Sequence, residues 1–459
     1  MADLSIDFCG VKSPNPFWLA SAPPTNTGAQ VMRAFEAGWG GAVWKTLGNP
    51  IVNVSSRFGG VDYGGMRMMG LNNIELITDR PLEVNLREMA EVKKRFPDHV
   101  LVASLMVDTR EEWHEIIKKV EGVGCDAIEL NFGCPHGMCE RGMGSAVGAE
   151  PEVLEKLTGW VLEAATTPVI VKLTPNVGDI TVPAQAALRA GAHAVSLINT
   201  VKSIIGVDLD SMVPIPQVGG ASSNGGYCGP AVKPIALHLL GQTGQVFDRP
   251  ISGIGGISDW RDAAEFIALG STTVQVCTAV MHYGYRIVED MIEGLSDYLD
   301  EKGMASVSEL VGKASGQYKD WGDLDLNHHV VAEINEDKCI GCQLCFVACM
   351  DGSHQCIHIP GMDDDEKRQK GHVAFPTVVP DRAVTAVGGT PGARVPWVHE
   401  EECVGCNLCK LVCPVDDCIS MVERRKGDAK ETWNDRTRAG KDWVPGGLDA
   451  TKKARGITD

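Results

Sequence analysis

The sequence predicts an α/β chain in which a TIM (β/α)8 barrel precedes a small α+β domain rich in cysteine. Three observations carry that reading. Eight short apolar runs alternate with helix-period segments up to about residue 305. Polar or glycine residues close seven of those runs, always on the same side. Ten of the 16 cysteines crowd between Cys339 and Cys418.

The apolar runs are residues 17–21, 42–47, 100–106, 127–131, 169–173, 194–198, 251–254 and 273–277. Apolar stretches this short and without alternation suit strands buried on both faces, as in a parallel sheet. Amphipathic segments such as 83–96, 110–123, 151–165, 184–190, 259–269 and 284–299 lie between them. Eight strand–helix units are the signature of the barrel, while a doubly wound sheet shares the alternation and competes with it. In a barrel the working residues gather at the C-terminal ends of the strands. Ser21 ends the first run, Lys45 the second, Asn131 the fourth and Lys172 the fifth. Asn199 and Thr200 end the sixth, Gly255-Gly256 follow the seventh, and Thr278 follows the eighth.

The 459 residues suffice for two or three domains. With 44% hydrophobic and 22% charged residues, wholesale disorder is excluded. A formal net charge of −18 repels phosphate backbones and anionic lipid, so neither nucleic acid nor a membrane surface is an expected partner. Met1-Ala2-Asp3-Leu4 lacks the basic and apolar parts of a signal peptide, and no apolar run reaches the roughly 18 residues of a membrane span. The expected location is cytoplasmic. Reducing conditions there make metal ligation or thiol chemistry a better use for 16 cysteines than disulfides.

Gly255-Gly256 and the helix start after Thr278 lie where such barrels hold phosphate on backbone N–H groups. Gly225-Gly226 and Gly229 are expected to form a second, flexible loop. No GxGxxG follows a strand and opens a helix, which points to FMN and away from a dinucleotide. Lys45 and Lys172, buried at strand ends, each need an anion: the N1 side of a reduced flavin, or a nearby Glu.

The fourth strand runs into Asn131-Phe132-Gly133-Cys134-Pro135-His136-Gly137-Met138, a glycine-rich loop able to move as a lid. A thiol at Cys134 sits where it can act as a general acid or base on a bound substrate. His136 and Cys139 are rivals for that role.

The segment Leu130–Met138, with Lys172-Leu173-Thr174-Pro175-Asn176 and Asn199-Thr200, resembles the dihydropyrimidine dehydrogenases, and the bacterial subunit bearing their pyrimidine site in particular. Asn72-Asn73-Ile74-Glu75-Leu76 and Gly225-Gly226-Tyr227-Cys228-Gly229 fit the same resemblance, which covers roughly residues 4–425. The dihydroorotate dehydrogenases share the barrel and an Asn-x-x-Cys-Pro segment. The resemblance implies reversible reduction of uracil or thymine across C5–C6, with flavin N5 giving hydride to C6 and Cys134 protonating C5. It implies substrate contacts from Asn73, Asn131, Phe132, Gly133, Asn199 and Thr200. It also implies FMN contacts from Ser21, Lys45, Thr46, Lys172, Gly229, Gly255, Gly256, Cys277 and Thr278.

From about Val331 the composition turns to Cys, Asp and Pro. Cys339-x2-Cys342-x2-Cys345-x3-Cys349 is followed by Cys403-x2-Cys406-x2-Cys409-x3-Cys413-Pro414, the bacterial ferredoxin pattern of two 4Fe-4S clusters. In that pattern the fourth Cys of each run ligates the other cluster. One cluster then takes Cys339, Cys342, Cys345 and Cys413, and the second takes Cys349, Cys403, Cys406 and Cys409. Zinc is the competing occupant, and it leaves two identical four-Cys runs unexplained. Met350 stands where the second run has Pro414, and Cys356 and Cys418 are spare.

The expected organisation is a barrel over 1–305, a linker over 306–330, and a ferredoxin-like domain over 331–425 with an insertion at about 360–396. A disordered polar tail fills 426–459. Electrons for FMN are expected from a separate FAD- and NAD(P)H-binding partner subunit in a hetero-oligomer, because the barrel starts within the first few residues and has no nicotinamide site. Dihydroorotate oxidation, or electron transfer by a barrel without pyrimidine chemistry, are the alternatives.

Overall fold

Eight parallel strands close into a barrel: β1 Phe17–Leu19, β2 Gly41–Gly48, β3 Val100–Met106, β4 Ala127–Asn131, β5 Val169–Lys172, β6 Ala194–Leu197, β7 Ile251–Ile254 and β8 Ser271–Val276. Each pairs with its sequence neighbour, and β8 pairs with β1. A doubly wound sheet reverses its strand order at a switch point, so this order excludes it. The structure is a computed structural model, and it describes residues 2–48, 53–63, 66–135, 142–359, 395–424 and 429–440.

The strands are Val-, Ile- and Ala-rich and buried along nearly their whole length. They need cover on the outside, and the amphipathic helices supply it: α1 Gly28–Ala37, α2 Leu82–Arg95, α3 Arg110–Gly122, α4 Pro151–Ala164, α5 Thr181–Ala190, α6 Lys233–Val246, α7 Trp260–Ala268 and α8 Ile287–Glu301. Local chemistry fixes where several of them begin. Thr27 caps α1, Asp259 caps α7, and Thr109 with Glu112 forms a reciprocal capping box on α3.

Four more strands grow from the loops after β2 and β6, at the C-terminal mouth. Phe58–Tyr63, Met66–Asn73, Gly225–Cys228 and Val201–Ser203 form an antiparallel sheet in that spatial order. This corrects the expectation of a flexible loop at Gly225-Gly226. A Cβ on Gly226 would lie 2.0 Å from Thr200 Oγ1, and one on Gly225 would lie 2.1 Å from Asn72 Oδ1. These glycines permit close packing within this sheet, the lid sheet, and against Thr200; they do not loosen it.

The chain divides into two units, Met1–Tyr318 and Lys319–Asp459. The division falls inside the stretch expected as a linker, because its first part is anchored to the barrel unit. Val307 and Leu310 are buried, and Asp3 bonds the backbone at Ala305 and Val307.

The second unit pairs Val330–Ile334 with Ile419–Glu423 and Ile357–His358 with Trp397–Val398, both antiparallel. Helices Leu344–Gly352 and Leu408–Leu411 form within the two cysteine runs, the first carrying Cys345 and Cys349 and the second Cys409. Part of the tail expected to be disordered is folded here: Thr432 and Asp435 box the start of helix Trp433–Arg438, and Trp433 meets Trp321 edge-on with ring centroids 5.9 Å apart. The rest of that tail and nearly all of the expected 360–396 insertion lie outside the described residues.

The barrel core gives a direct stability expectation. Trp44 is fully buried and its Nε1 donates to Asn85 Oδ1 at 3.0 Å. Trp44→Ala should cost about 3–5 kcal/mol in urea unfolding. Val153→Ala, at an exposed α4 position, should stay within about 0.5 kcal/mol.

Candidate active site

The second strand carries an irregularity that builds one wall of the mouth. Pairing of β2 with β3 slips between Trp44 and Leu47, so Lys45 and Thr46 fall in a bulge. A bulge breaks the alternation of a strand and re-aims side chains. Both residues line the same cavity although adjacent in sequence, and both are 4% exposed.

That cavity encloses about 1100 Å³, counting the part open to solvent. Cys134, Ser21, Lys45, Thr46, Lys172, Asn73, Asn131, Asn199 and Thr200 line it. Gly229, Gly255, Gly256, Cys277 and Thr278 line it as well. Two expected substrate contacts do not line it. Phe132 is buried edge-on against Trp113, at a centroid distance of 6.2 Å, in the barrel core. Gly133 tucks beneath Asn199, where a Cβ would come within 2.5 Å of the Asn199 Cβ.

A line of hydrogen bonds orients the polar wall. Asn131 Nδ2 donates to Thr46 Oγ1 at 2.9 Å, and Thr46 also bonds Ser21 at 3.1 Å and Ser104 at 2.9 Å. Asn199 Nδ2 donates to Asn131 Oδ1 at 3.0 Å, and the Thr200 N–H donates to Asn199 Oδ1 at 2.8 Å. Asn131 and Asn199 are therefore each held at both the nitrogen and the oxygen of the amide by neighbours in the line. Asn73 is held from the lid sheet, its Nδ2 donating to the Gly226 carbonyl at 3.1 Å.

Both buried lysines pair with glutamates of the chain, the second of the two anions weighed from sequence. Lys45 Nζ lies 2.7 Å from Glu75, which Arg57 also holds at 2.7 Å. Lys172 Nζ lies 3.3 Å from Glu129, a fully buried carboxylate that accepts from Ser196 Oγ at 2.8 Å and Gln275 Nε2 at 3.1 Å. Sequence reasoning missed Glu129 and Gln275. The signal for Glu129 was a charged residue inside the apolar strand Ala127–Asn131; Gln275 sits in Ser271–Val276, where Ser and Thr make one more polar residue inconspicuous. Gln275 Oε1 is buried at the cavity without a partner among the described residues.

Cys134 is 5% exposed and packs with Ile77, Met106 and Met143. Its carbonyl accepts from the Ser145 N–H at 2.9 Å, which fixes the start of the loop. The rivals His136 and Cys139 lie outside the described residues. Cys277 precedes helix Thr278–Tyr283, and burial pushes its thiol far above the usual range. Burial also pushes the Cys228 thiol up to about 11, although Thr278 donates to it at 3.2 Å.

Two smaller cavities, each of about 320 Å³ on the same measure, occupy the second unit. Cys339, Cys342, Cys345 and Cys413 line one, together with Cys418. Cys349, Cys403, Cys406 and Cys409 line the other, together with Cys356. Among the described residues no three His, Cys, Asp or Glu converge to hold a single metal ion. Thiols spaced around a cavity suit a multi-iron cluster better than zinc, which draws four ligands to one point.

The family described as Dihydroorotate dehydrogenase matches residues 3–299, and the 4Fe-4S dicluster domain matches residues 377–421. The NAD-dependent dihydropyrimidine dehydrogenase subunit PreA of Escherichia coli (strain K12) is 47% identical over 359 residues, 77% of this chain and 87% of that protein. The chloroplastic dihydropyrimidine dehydrogenase (NADP(+)) of Arabidopsis thaliana is 41% identical over 337 residues, 70% of this chain and 79% of that one. The catalytic subunit of dihydroorotate dehydrogenase B (NAD(+)) from Thermococcus kodakarensis is 38% identical over 322 residues, 68% of this chain and 99% of that one.

The raised Cys228 pKa makes its reactivity testable. A shift from 9.0 to about 11 leaves the thiolate about 100-fold scarcer at pH 8. Peptide mapping after iodoacetamide should find Cys228 labelled at least that much more slowly in the folded protein than in urea. Equal rates would refute the burial. Because folding raises this pKa, the buried thiol's contribution to stability is whole below pH 9 and is lost as pH climbs towards 11.

Proposed function

The chain belongs to the dihydroorotate dehydrogenase family and is an oxidoreductase, and from that footing we propose that it reduces uracil and thymine as the pyrimidine-site subunit of a dihydropyrimidine dehydrogenase. The convergence of Cys134 with the oriented amides of Asn131, Asn199 and Asn73 in one cavity carries this reading. A pyrimidine edge alternates carbonyl and N–H, and recognising it takes side chains that offer both acceptors and donors.

The mouth fits FMN. Gly255 and Gly256 line the cavity and let the turn after β7 press against the start of α6: a Cβ on Gly255 would meet Ala236 Cβ at 2.7 Å, and one on Gly256 the Lys233 backbone N at 2.8 Å. Both have positive φ, +131° and +76°, which a residue with a Cβ rarely adopts. The orphaned Gln275 Oε1 offers an acceptor to a bound ring. Ser21, Thr46, Gly229, Cys277 and Thr278 complete the proposed contacts, with Lys45 and Lys172 as the cations. When bound, FMN supplies hydride to the pyrimidine C6.

Cys134 holds the proton destined for C5 on its Sγ. Its apolar neighbours Ile77, Met106 and Met143 keep water from competing for that proton. Among the described residues lining the cavity, the cations are Lys45 and Lys172, each already beside a glutamate. That favours a neutral pyrimidine over orotate, whose carboxylate needs a cation of its own.

In the second unit the two sets of four cysteines fit a pair of 4Fe-4S clusters, which supply one-electron relays when bound. The electrons enter from a partner subunit carrying FAD and the NAD(P)H site. In support, the Escherichia coli relative is an NAD-dependent dihydropyrimidine dehydrogenase subunit.

Cys134→Ala should keep FMN bound and lower viologen-driven uracil reduction by about 10²–10⁴-fold, the range for a lost general acid. Unchanged turnover in that variant would remove Cys134 from the role. A wild-type chain without flavin would remove the reading itself.

A further inference from the structure

We propose that the Cys356 thiol donates a hydrogen bond to the Cys349 sulfur and thereby makes one of the two iron-sulfur clusters easier to reduce. The inference rests on the ligand assignment above. Cys356 belongs to neither four-Cys run, yet it lies within the cavity lined by Cys349, Cys403, Cys406 and Cys409. Its Sγ is 3.5 Å from Cys349 Sγ, and its backbone N–H donates to the same sulfur at 3.3 Å.

The local fold fixes that approach. After helix Leu344–Gly352 the chain turns back on itself, and the N–H groups of Ser353 and Gln355 both donate to the Cys349 carbonyl at 3.2 Å. Gln355 takes a left-handed φ of +60° and its side chain donates to the Met350 carbonyl at 3.1 Å. On the far side the Cys356 carbonyl accepts from the His399 N–H at 2.7 Å, and the strand Ile357–His358 follows. Cys356 is thus tied to Cys349 on one side and to the sheet on the other.

Chemistry then decides the direction of the contact. A ligating sulfur is a thiolate and has no proton to give. Cys356, buried in the apolar core of this unit, keeps its own proton and is the donor. A four-iron cluster already has its four thiolates, so the fifth thiol has no iron to bind. Hydrogen bonds to ligand sulfurs are among the factors that set cluster potential, because they draw electron density from the thiolate and favour the more negative, reduced state. No proton or ligand changes place.

The companion cavity differs. Each spare thiol is in reach of two ligand sulfurs, Cys356 of Cys349 and Cys403 and Cys418 of Cys413 and Cys339, but the Asn335 carbonyl, 3.8 Å from Cys418, competes for its proton. The sulfur at Cys349 receives two donors from one residue, and the two clusters are therefore not equivalent.

The test uses the full-length protein, purified anaerobically, with iron counted per chain and both cluster potentials measured by EPR-monitored titration. Cys356→Ala should retain the wild-type iron content while the midpoint potential of one cluster falls and the other stays. Cys356→Val, which refills the volume without a donor, should give the same fall and serves if the alanine variant does not fold. Cys356→Ser, which restores a donor, should recover part of the shift. Unchanged potentials in the Ala and Val variants would overturn the inference while leaving the ligand assignment intact. Loss of iron on removing Cys356 alone would overturn it by making Cys356 a ligand. A wild-type chain without iron would overturn both.

Discussion

A carboxylate without access to solvent sits inside the barrel, and the floor of the active-site cavity is arranged around it. Glu129 on β4 is met by Lys172 from β5, Ser196 from β6 and Gln275 from β8. An unpaired charge there would cost several kcal/mol, whereas a charge with a cation and two donors is tolerable. The same contacts hold the lysine ammonium and the glutamine amide at the cavity. Gln275 Nε2 also reaches Ser252 on β7 at 3.1 Å, so the network ties five consecutive strands, β4 to β8.

Above that floor the site is built from backbone irregularities. The bulge in β2 turns two neighbouring residues to the mouth: Lys45 meets Glu75, and Thr46 starts the line that orients Asn131 and Asn199. The lid sheet contributes Asn73 from one strand and fixes it with the Gly226 carbonyl of the next. The close packing of that sheet is written in glycine: a Cβ on Gly70 would lie 1.8 Å from the Tyr227 hydroxyl. On the proposed reading, the placement of Asn73 thus depends on the close glycine packing of this sheet.

These features differ in how far they could be read from the chain. The barrel was legible because its buried strands are short, mostly apolar runs, and the polar strand ends pointed to one mouth. The cysteine runs were legible because their spacing is chemical, and the structure gathers each expected set of four around its own cavity. The lid sheet was not, since the strand Gly225–Cys228 carries no hydrophobic alternation and its pairing with Met66–Asn73 joins segments more than a hundred residues apart. The role of Lys45 depends on a slip in register, which only the partner strand defines. Phe132 misled because a motif neighbour of two site residues faces the core.

On the proposed function, floor, wall and lid serve one use: holding a flat, neutral, hydrogen-bonding ring beside the Cys134 thiol. The most direct test is an anaerobic titration of the fully reduced protein with uracil and separately with orotate, following the flavin absorbance. The account predicts that uracil restores the oxidised flavin band and that orotate leaves it bleached. Reoxidation by orotate with no response to uracil would contradict it.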